Sequence, residues 1–180
     1  KIATLDIEYV RNMRSETVDD WRADPVFRHP SWQYRFETED RSVIEGLLRE
    51  RGGQFTWHDD DSLTFWTRVP GITTHPVTGD RLYFNQMNSQ VQHRLTVGEE
   101  RAAQIDAAYG TNTPRAYSVR FSNGQPLSED EFLAIYEEFE RRKIAFAWAA
   151  GDMMLVENRL TAHGRNPFTG ARDVQVMLFQ

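Results

Sequence analysis

The 180-residue sequence predicts one mostly β domain with helical insertions, built around a closed or double-sheet core rather than a parallel sheet. Three observations carry that expectation. Short runs of Thr, Val, Ile and aromatic residues recur, bounded by Gly, Pro, Asp and Asn clusters of turn type. Only three stretches read as helices. The composition is globular, 39% hydrophobic and 27% charged with eleven Phe, six Tyr and five Trp, and a chain of this length buries roughly 70% of the surface its unfolded form exposes. No repeat, low-complexity tract or linker divides it, so residues 1–180 read as a single domain.

Taken in order, Ile2 to Val10 alternates like a strand. "VDDWRADPVFRHPSWQYRF", with two prolines and two tryptophans, reads as an irregular packed loop. From Thr38 the spacing becomes helical: Val43, Ile44, Leu47 and Leu48 share a face, and Gly52-Gly53 supply a stop. Phe55 and Trp57 lead into an acidic turn, after which Leu63 to Val69 is strand-like. Ile72 to Thr74 and Arg81 to Phe84 flank "HPVTGD", a tight hairpin turn. Glu99 to Tyr109 is a short helix. "SEDEFLAIYEEFERRKI" is a stronger one, with Ser128 and Glu131 as a capping box and Phe132, Ile135, Tyr136 and Phe139 on one face. Ala145 to Trp148, Met153 to Glu157 and Asp173 to Phe179 read as three more strands, the first two parted by a Gly151-Asp152 turn.

The formal charge of −6, with arginines scattered among acids, argues against a general nucleic-acid or acidic-membrane surface. With no cysteine, disulfides, thiolate metal sites and a cysteine nucleophile are excluded. Any metal must use His, Asp or Glu. No apolar run approaches 18 residues and no signal-peptide pattern opens the chain, which points to a cytoplasmic protein. Lys1 leads without a methionine into a strand-like run, the expected look of a start in mid-domain.

In "LTAHGRNPFTGARDVQVMLF", a histidine at a strand end, a Pro/Gly loop and an arginine opening the next strand stand in sequence. Non-haem Fe(II) takes two imidazoles and one carboxylate as a facial set and leaves positions for cosubstrate and oxygen. A 2-oxo acid cosubstrate brings a distant carboxylate, which the planar fork of an arginine grips through two charge-assisted bonds. His163 and Arg172 suit the roles of second histidine and that arginine. An isolated pair of this kind is more often a surface loop histidine and an exposed ion pair.

"WAAGDMMLVENRLTAHGRNPFTGAR" resembles the C-terminal signature of the taurine-dioxygenase-like, or clavaminate-synthase-like, Fe(II)/2-oxoglutarate oxygenases: a tryptophan, a Gly-Asp turn, an apolar strand ending in acid-Asn, then His-Gly-Arg, Pro-Phe, Gly and Arg. "THPVTGDRLYFNQ" resembles the family's His-Pro-x-Thr-Gly hairpin. "EYVRNM" and "WQYRFETED" resemble the segment before it in members that hydroxylate amino acids for peptide natural products. The matches run from about Glu8 to Phe179 in the family's order, and their combination is specific where each piece alone is weak.

The resemblance implies a distorted double-stranded β-helix (jelly-roll) core. It implies Fe(II) as cofactor and 2-oxoglutarate as cosubstrate, His163 as the second metal-ligating histidine, and Arg172 as partner of the distal carboxylate of 2-oxoglutarate. Glu157 and Asn158 then support the metal strand, His75, Pro76, Thr78 and Gly79 form a turn, and Phe84 and Asn85 are candidates for reaching the substrate. The family's first histidine and carboxylate, as His-x-Asp or His-x-Glu, belong before the region that matches "EYVRNM", a position that falls before Lys1. The reading therefore expects an oxygenase domain whose N-terminal part lies outside this sequence. "WHDDDS" offers His58 and Asp60 as a decoy of that motif, since Asp and Ser between two strand-like runs favour a turn.

The function implied is hydroxylation of a small molecule, a free or carrier-bound amino acid in natural-product biosynthesis. Molecular oxygen and 2-oxoglutarate are consumed, and succinate and carbon dioxide are released. Halogenation replaces hydroxylation if the carboxylate ligand is Gly or Ala. The rival reading is a non-catalytic β-sandwich binding module that lost its iron. No nucleic-acid or membrane partner is expected, and a homo-oligomer is compatible with the sequence.

Overall fold

The computed structural model describes residues 1–17, 31–109, 114–166, 169–171 and 173–178. The first 17 residues turn once around Lys1 to Leu5, where the Thr4 and Leu5 amides both donate to the Lys1 carbonyl. The chain then enters strand β1 (Ile7–Met13), so the strand begins later than the alternation suggested. Gly71 explains the turn's position: a Cβ there would stand 2.2 Å from the Ile2 carbonyl oxygen, and only glycine lets the two backbones meet.

Trp32–Phe36 is a short helix, α1, where an irregular loop was expected. Ser31 caps it by accepting from the Tyr34 amide at 3.1 Å. The remainder of that expected loop, residues 18–30, lies outside the described residues. Helix α2 (Arg41–Glu50) follows with Asp40 as its N-cap. Strands β2 (Gln54–Trp57) and β3 (Leu63–Val69) then form a hairpin, and β4 (Thr73–Thr74) and β5 (Arg81–Leu82) form a small ribbon around the expected "HPVTGD" turn. A 3-10 turn at Met87–Gln90 leads to helices α3 (Arg94–Val97) and α4 (Glu99–Tyr109). Strand β6 (Tyr117–Phe121) and helix α5 (Glu129–Arg142) complete the described elements. The capping box of α5 is formed as the sequence expects.

The larger sheet is antiparallel, in the order β2-β3-β1-β6. Register places Ile7 opposite Val69 and Phe121, and Met13 opposite Leu63. Because side chains alternate across a strand, odd-numbered residues of β1 share one face, and the helices cover it. At one end Met13 and Leu63 pack with Trp32, Ile44 and Leu48 from α1 and α2; at the other Ile7, Val119 and Phe121 pack with Met87, flanked by Ile135 of α5. Between these clusters Arg11 stacks on Tyr117, its guanidinium 4.7 Å from the ring centre. Burial holds Arg11 below the ordinary arginine range, with the nearby tyrosines opposing.

The strands expected at Ala145 to Trp148, Met153 to Glu157 and Asp173 to Phe179 are not formed in the described residues, and Phe179 lies outside them. Strand-forming side chains supply only a preference. A strand exists once its row of N–H and C=O groups finds a neighbouring ladder, and the described residues of 144–178 meet none: Met153 is 94% exposed and Leu178 86%. The architecture is therefore centred on one sheet with a ribbon and helices. The second sheet of a double-stranded β-helix, or a closed core, is not displayed among the described residues. The turn at Gly151 is present, with φ 92° and the Asp152 amide donating to the Ala149 carbonyl at 3.1 Å.

Candidate active site

The segment that carries His163 is shaped by Glu157. Its carbonyl accepts from the Leu160 and Thr161 amides at 3.0 Å each, and its side-chain Oε1 accepts from the Arg159 amide at 3.2 Å. This turn sends Arg159 toward the ribbon, where its guanidinium lies 5.9 Å from the Phe84 ring centre. Phe84, named from the sequence as a substrate contact, is thus brought to the segment that bears His163. His163 itself is exposed two residues beyond the turn. Arg172 lies outside the described residues.

Asn85 is already engaged at both ends of its amide. Its Nδ2 donates to the Gly71 carbonyl at 3.0 Å and its Oδ1 accepts from the Met87 amide at 3.2 Å. It clamps the ribbon's exit onto the tight approach at Gly71. In the ribbon turn the His75 amide donates to the Asp80 carbonyl, the Gly79 amide donates to the His75 carbonyl, and His75 Nδ1 accepts from the Thr78 amide at 3.1 Å. Gly79 takes φ 76°, so His75, Thr78 and Gly79 each have a local backbone task in the turn.

His58 and Asp60 sit in a turn, as the decoy reading expects. His58 Nε2 is 2.8 Å from Thr64 Oγ1, and Asp60 accepts from the Ser62 amide and hydroxyl. Those two bonds from Ser62 hold the Asp60 carboxyl below its ordinary range, burial opposing weakly. Neighbouring Asp61 is the structural hub of this acidic stretch. Its carbonyl accepts from Trp32 Nε1 at 2.8 Å, and its carboxylate takes Ser15 Oγ and the Arg41 guanidinium. Nothing in the spacing of "DDDS" singles out the third acid, because its partners come from three distant parts of the chain.

Among the described residues, no three His, Asp or Glu side chains gather into a group that could hold a metal ion. One imidazole, at His163, does not make a facial set, so the described residues by themselves do not fit a resident Fe(II). His93 is the remaining buried histidine: Nε2 faces Glu129 Oε1 at 2.9 Å, Nδ1 caps α3 by accepting from the Leu95 amide, and the ring lies 4.3 Å from that of Phe132. An open cavity of about 490 Å³ beside it is lined by charges that pair among themselves, Arg94 with Glu99 and Glu129, and Arg115 with Asp106.

Sequence reasoning missed the most strongly coupled charged group of the sheet. Glu8, 3% exposed, lies between Arg68 on β3 and Arg120 on β6. Its Oε1 accepts from Arg68 Nη2 at 2.6 Å and Nε at 3.2 Å, and its Oε2 accepts from Arg120 Nε at 2.6 Å. Burial pushes the Glu8 carboxyl up, but the two guanidiniums together outweigh it and leave it below its ordinary value. The cross-strand pairing that makes this group was hidden because β6 went unassigned, although Tyr117, Val119 and Phe121 alternate.

Comparison with known proteins bears on the C-terminal signature. Residues 7–178 match the family described as taurine catabolism dioxygenase TauD, TfdA family. The dapdiamide synthesis protein DdaC of Enterobacter agglomerans is 26% identical over 177 residues, covering 98% of this chain and 53% of that protein. A clavaminate synthase-like protein of Arabidopsis thaliana is 27% identical over 161 residues, covering 89% of this chain and 44% of its own length. The chain spans about half the length of the curated relatives it matches. With almost all of its residues inside one family match, the chain belongs to the TauD/TfdA family of dioxygenases.

Proposed function

We propose that this chain is the later part of an Fe(II)- and 2-oxoglutarate-dependent oxygenase that hydroxylates a small molecule, a free or carrier-bound amino acid in natural-product biosynthesis. The observation that carries this reading is the family match from residue 7 to residue 178, a range that includes His163 and Arg172. A relative named for dapdiamide synthesis supports a biosynthetic setting. In this reading His163 offers one imidazole nitrogen to iron. The other histidine and the carboxylate are carried by sequence preceding the match to "EYVRNM". Segments 145–148, 153–157 and 173–179 pair as the second sheet of a double-stranded β-helix once that sequence is in place. The protein works in the cytoplasm on a substrate without nucleic-acid or membrane partners.

Arg172 has a defined task in this account. Its planar, permanently charged fork holds the distal carboxylate of 2-oxoglutarate and so fixes the cosubstrate's keto acid end. The class reaction balances as 2-oxoglutarate, oxygen and a C–H bond giving succinate, carbon dioxide and C–OH. Replacing Arg172 by Ala is expected to raise the KM for 2-oxoglutarate at least tenfold, about 1.4 kcal/mol or more, and replacing His163 by Ala to abolish Fe(II) binding. An unchanged KM would remove Arg172 from this role. Fe(II) binding that survives in the His163 variant would remove His163 as a ligand, whereas an intact protein with no Fe(II)-dependent turnover of 2-oxoglutarate would favour the rival reading, a binding module without an iron centre.

A further inference from the structure

The helix-covered face of the sheet uses the odd-numbered residues of β1; the even-numbered ones line the other face. There Glu8 stands beside Arg68 and Arg120, Val10 beside Trp66 and Ser118, and Asn12 beside Thr64. This face is mostly polar. Thr64 donates to Asn12 Oδ1 at 2.6 Å. The spacing from Glu8 to Asn12 is about 13 Å by the rise of a strand, and Val10 between them is buried.

At the Glu8 end, two guanidiniums serve one carboxylate, which leaves the group with a surplus positive charge. Arg68 spends its Nε and Nη2 on a single oxygen of Glu8, and Arg120 spends only its Nε. Among the described residues nothing accepts from Nη1 or Nη2 of Arg120. Its guanidinium is also fixed from below, 5.1 Å from the Trp66 ring centre. Both arginine side chains remain open to solvent, Arg68 at 47% and Arg120 at 38%. A guanidinium pinned through Nε and stacked on an indole has lost much of its rotational freedom, so its outward fork meets a planar two-oxygen partner with little further ordering cost.

We propose that this face is a carboxylate-recognition site, in which the Nη1/Nη2 edge of Arg120 grips the carboxylate of an amino acid while Glu8, Arg68 and Trp66 hold that edge in place. The single surplus charge and the planar fork match a monoanionic carboxylate better than a tetrahedral dianion. Choosing an amino acid as the occupant rests on the oxygenase reading above; the carboxylate site itself does not.

The test is calorimetric binding to the intact protein, without iron or 2-oxoglutarate, of free amino acids, their primary amides and inorganic phosphate. At least one amino acid binds, and its amide, of nearly the same shape but without the charge and with a donor NH2 in place of one acceptor oxygen, binds at least tenfold more weakly. In Arg120→Gln the acid loses at least tenfold and the preference over the amide disappears. Equal binding of acid and amide by the wild type, which needs no variant to fold, would overturn the site. So would failure of every amino acid to bind, a preference that survives Arg120→Gln, or binding of phosphate alone. Arg120-dependent carboxylate binding without any turnover of 2-oxoglutarate would leave this site standing and remove the oxygenase. Amino-acid-stimulated turnover indifferent to Arg120→Gln would do the reverse.

Discussion

Glu8 shows at the scale of one residue why a charge can be buried in a small sheet. Removing a carboxylate from water is costly, and breaking such a pair by deleting one partner typically costs about 3–5 kcal/mol; here each oxygen of Glu8 has its own guanidinium. The pH consequence follows from the direction of its shift. The folded-state pKa lies below the ordinary value of 4.5, so on acidification the unfolded chain takes up the proton first. The stabilisation is complete above 4.5 and is lost as pH falls through the lower folded value. Urea midpoints measured from pH 6 down to pH 3 are expected to fall more steeply for the wild type than for Glu8→Gln. Parallel curves for the two proteins would mean that Glu8 contributes nothing to acid sensitivity. None of this was readable in "DIEYV", where Glu8 is one acid in an alternating run, since its partners lie 60 and 112 positions away.

Elements whose signals are local were the ones legible in the sequence. Helix α2, the β2–β3 hairpin and the "HPVTGD" ribbon appear where periodicity and turn chemistry place them. Helix α5 is the clearest case, because Ser128 and Glu131 satisfy each other's backbone amides within one turn while Phe132 is buried on the inner face. Ser128→Ala is expected to lower stability by about 1 kcal/mol, visible as a shift in the urea midpoint. A shift indistinguishable from zero would mean that the packing of Phe132 and Ile135 alone holds the helix start. Three elements escaped, for two opposite reasons. Trp32–Phe36 and Arg94–Val97 are too short for a helical period to declare itself. Tyr117–Phe121 did alternate, but the stretch between Tyr109 and Ser128 was assigned no element.

Across the whole molecule, the contrast lies between a helix-covered sheet and the described residues of 144–178, whose large apolar side chains are mostly exposed, with Leu155 86% and Val176 80% open. The strands expected at 145–148, 153–157 and 173–179 are not formed in the described residues, because pairing is a property of two segments and cannot be read from one. The same holds for the candidate site. The resemblance of one signature points to His163 and Arg172 as candidates, whereas a metal's facial set is a relation among distant residues. No helix among the described residues is long and apolar enough to cross a membrane. The central claim is oxygenase chemistry, and the most direct measurement is succinate formed from 2-oxoglutarate by the intact gene product, with and without Fe(II), across a panel of amino acids. The account predicts iron-dependent succinate that at least one amino acid stimulates and that His163→Ala abolishes. Intact protein that binds amino acids yet forms no succinate under any of these conditions would contradict it.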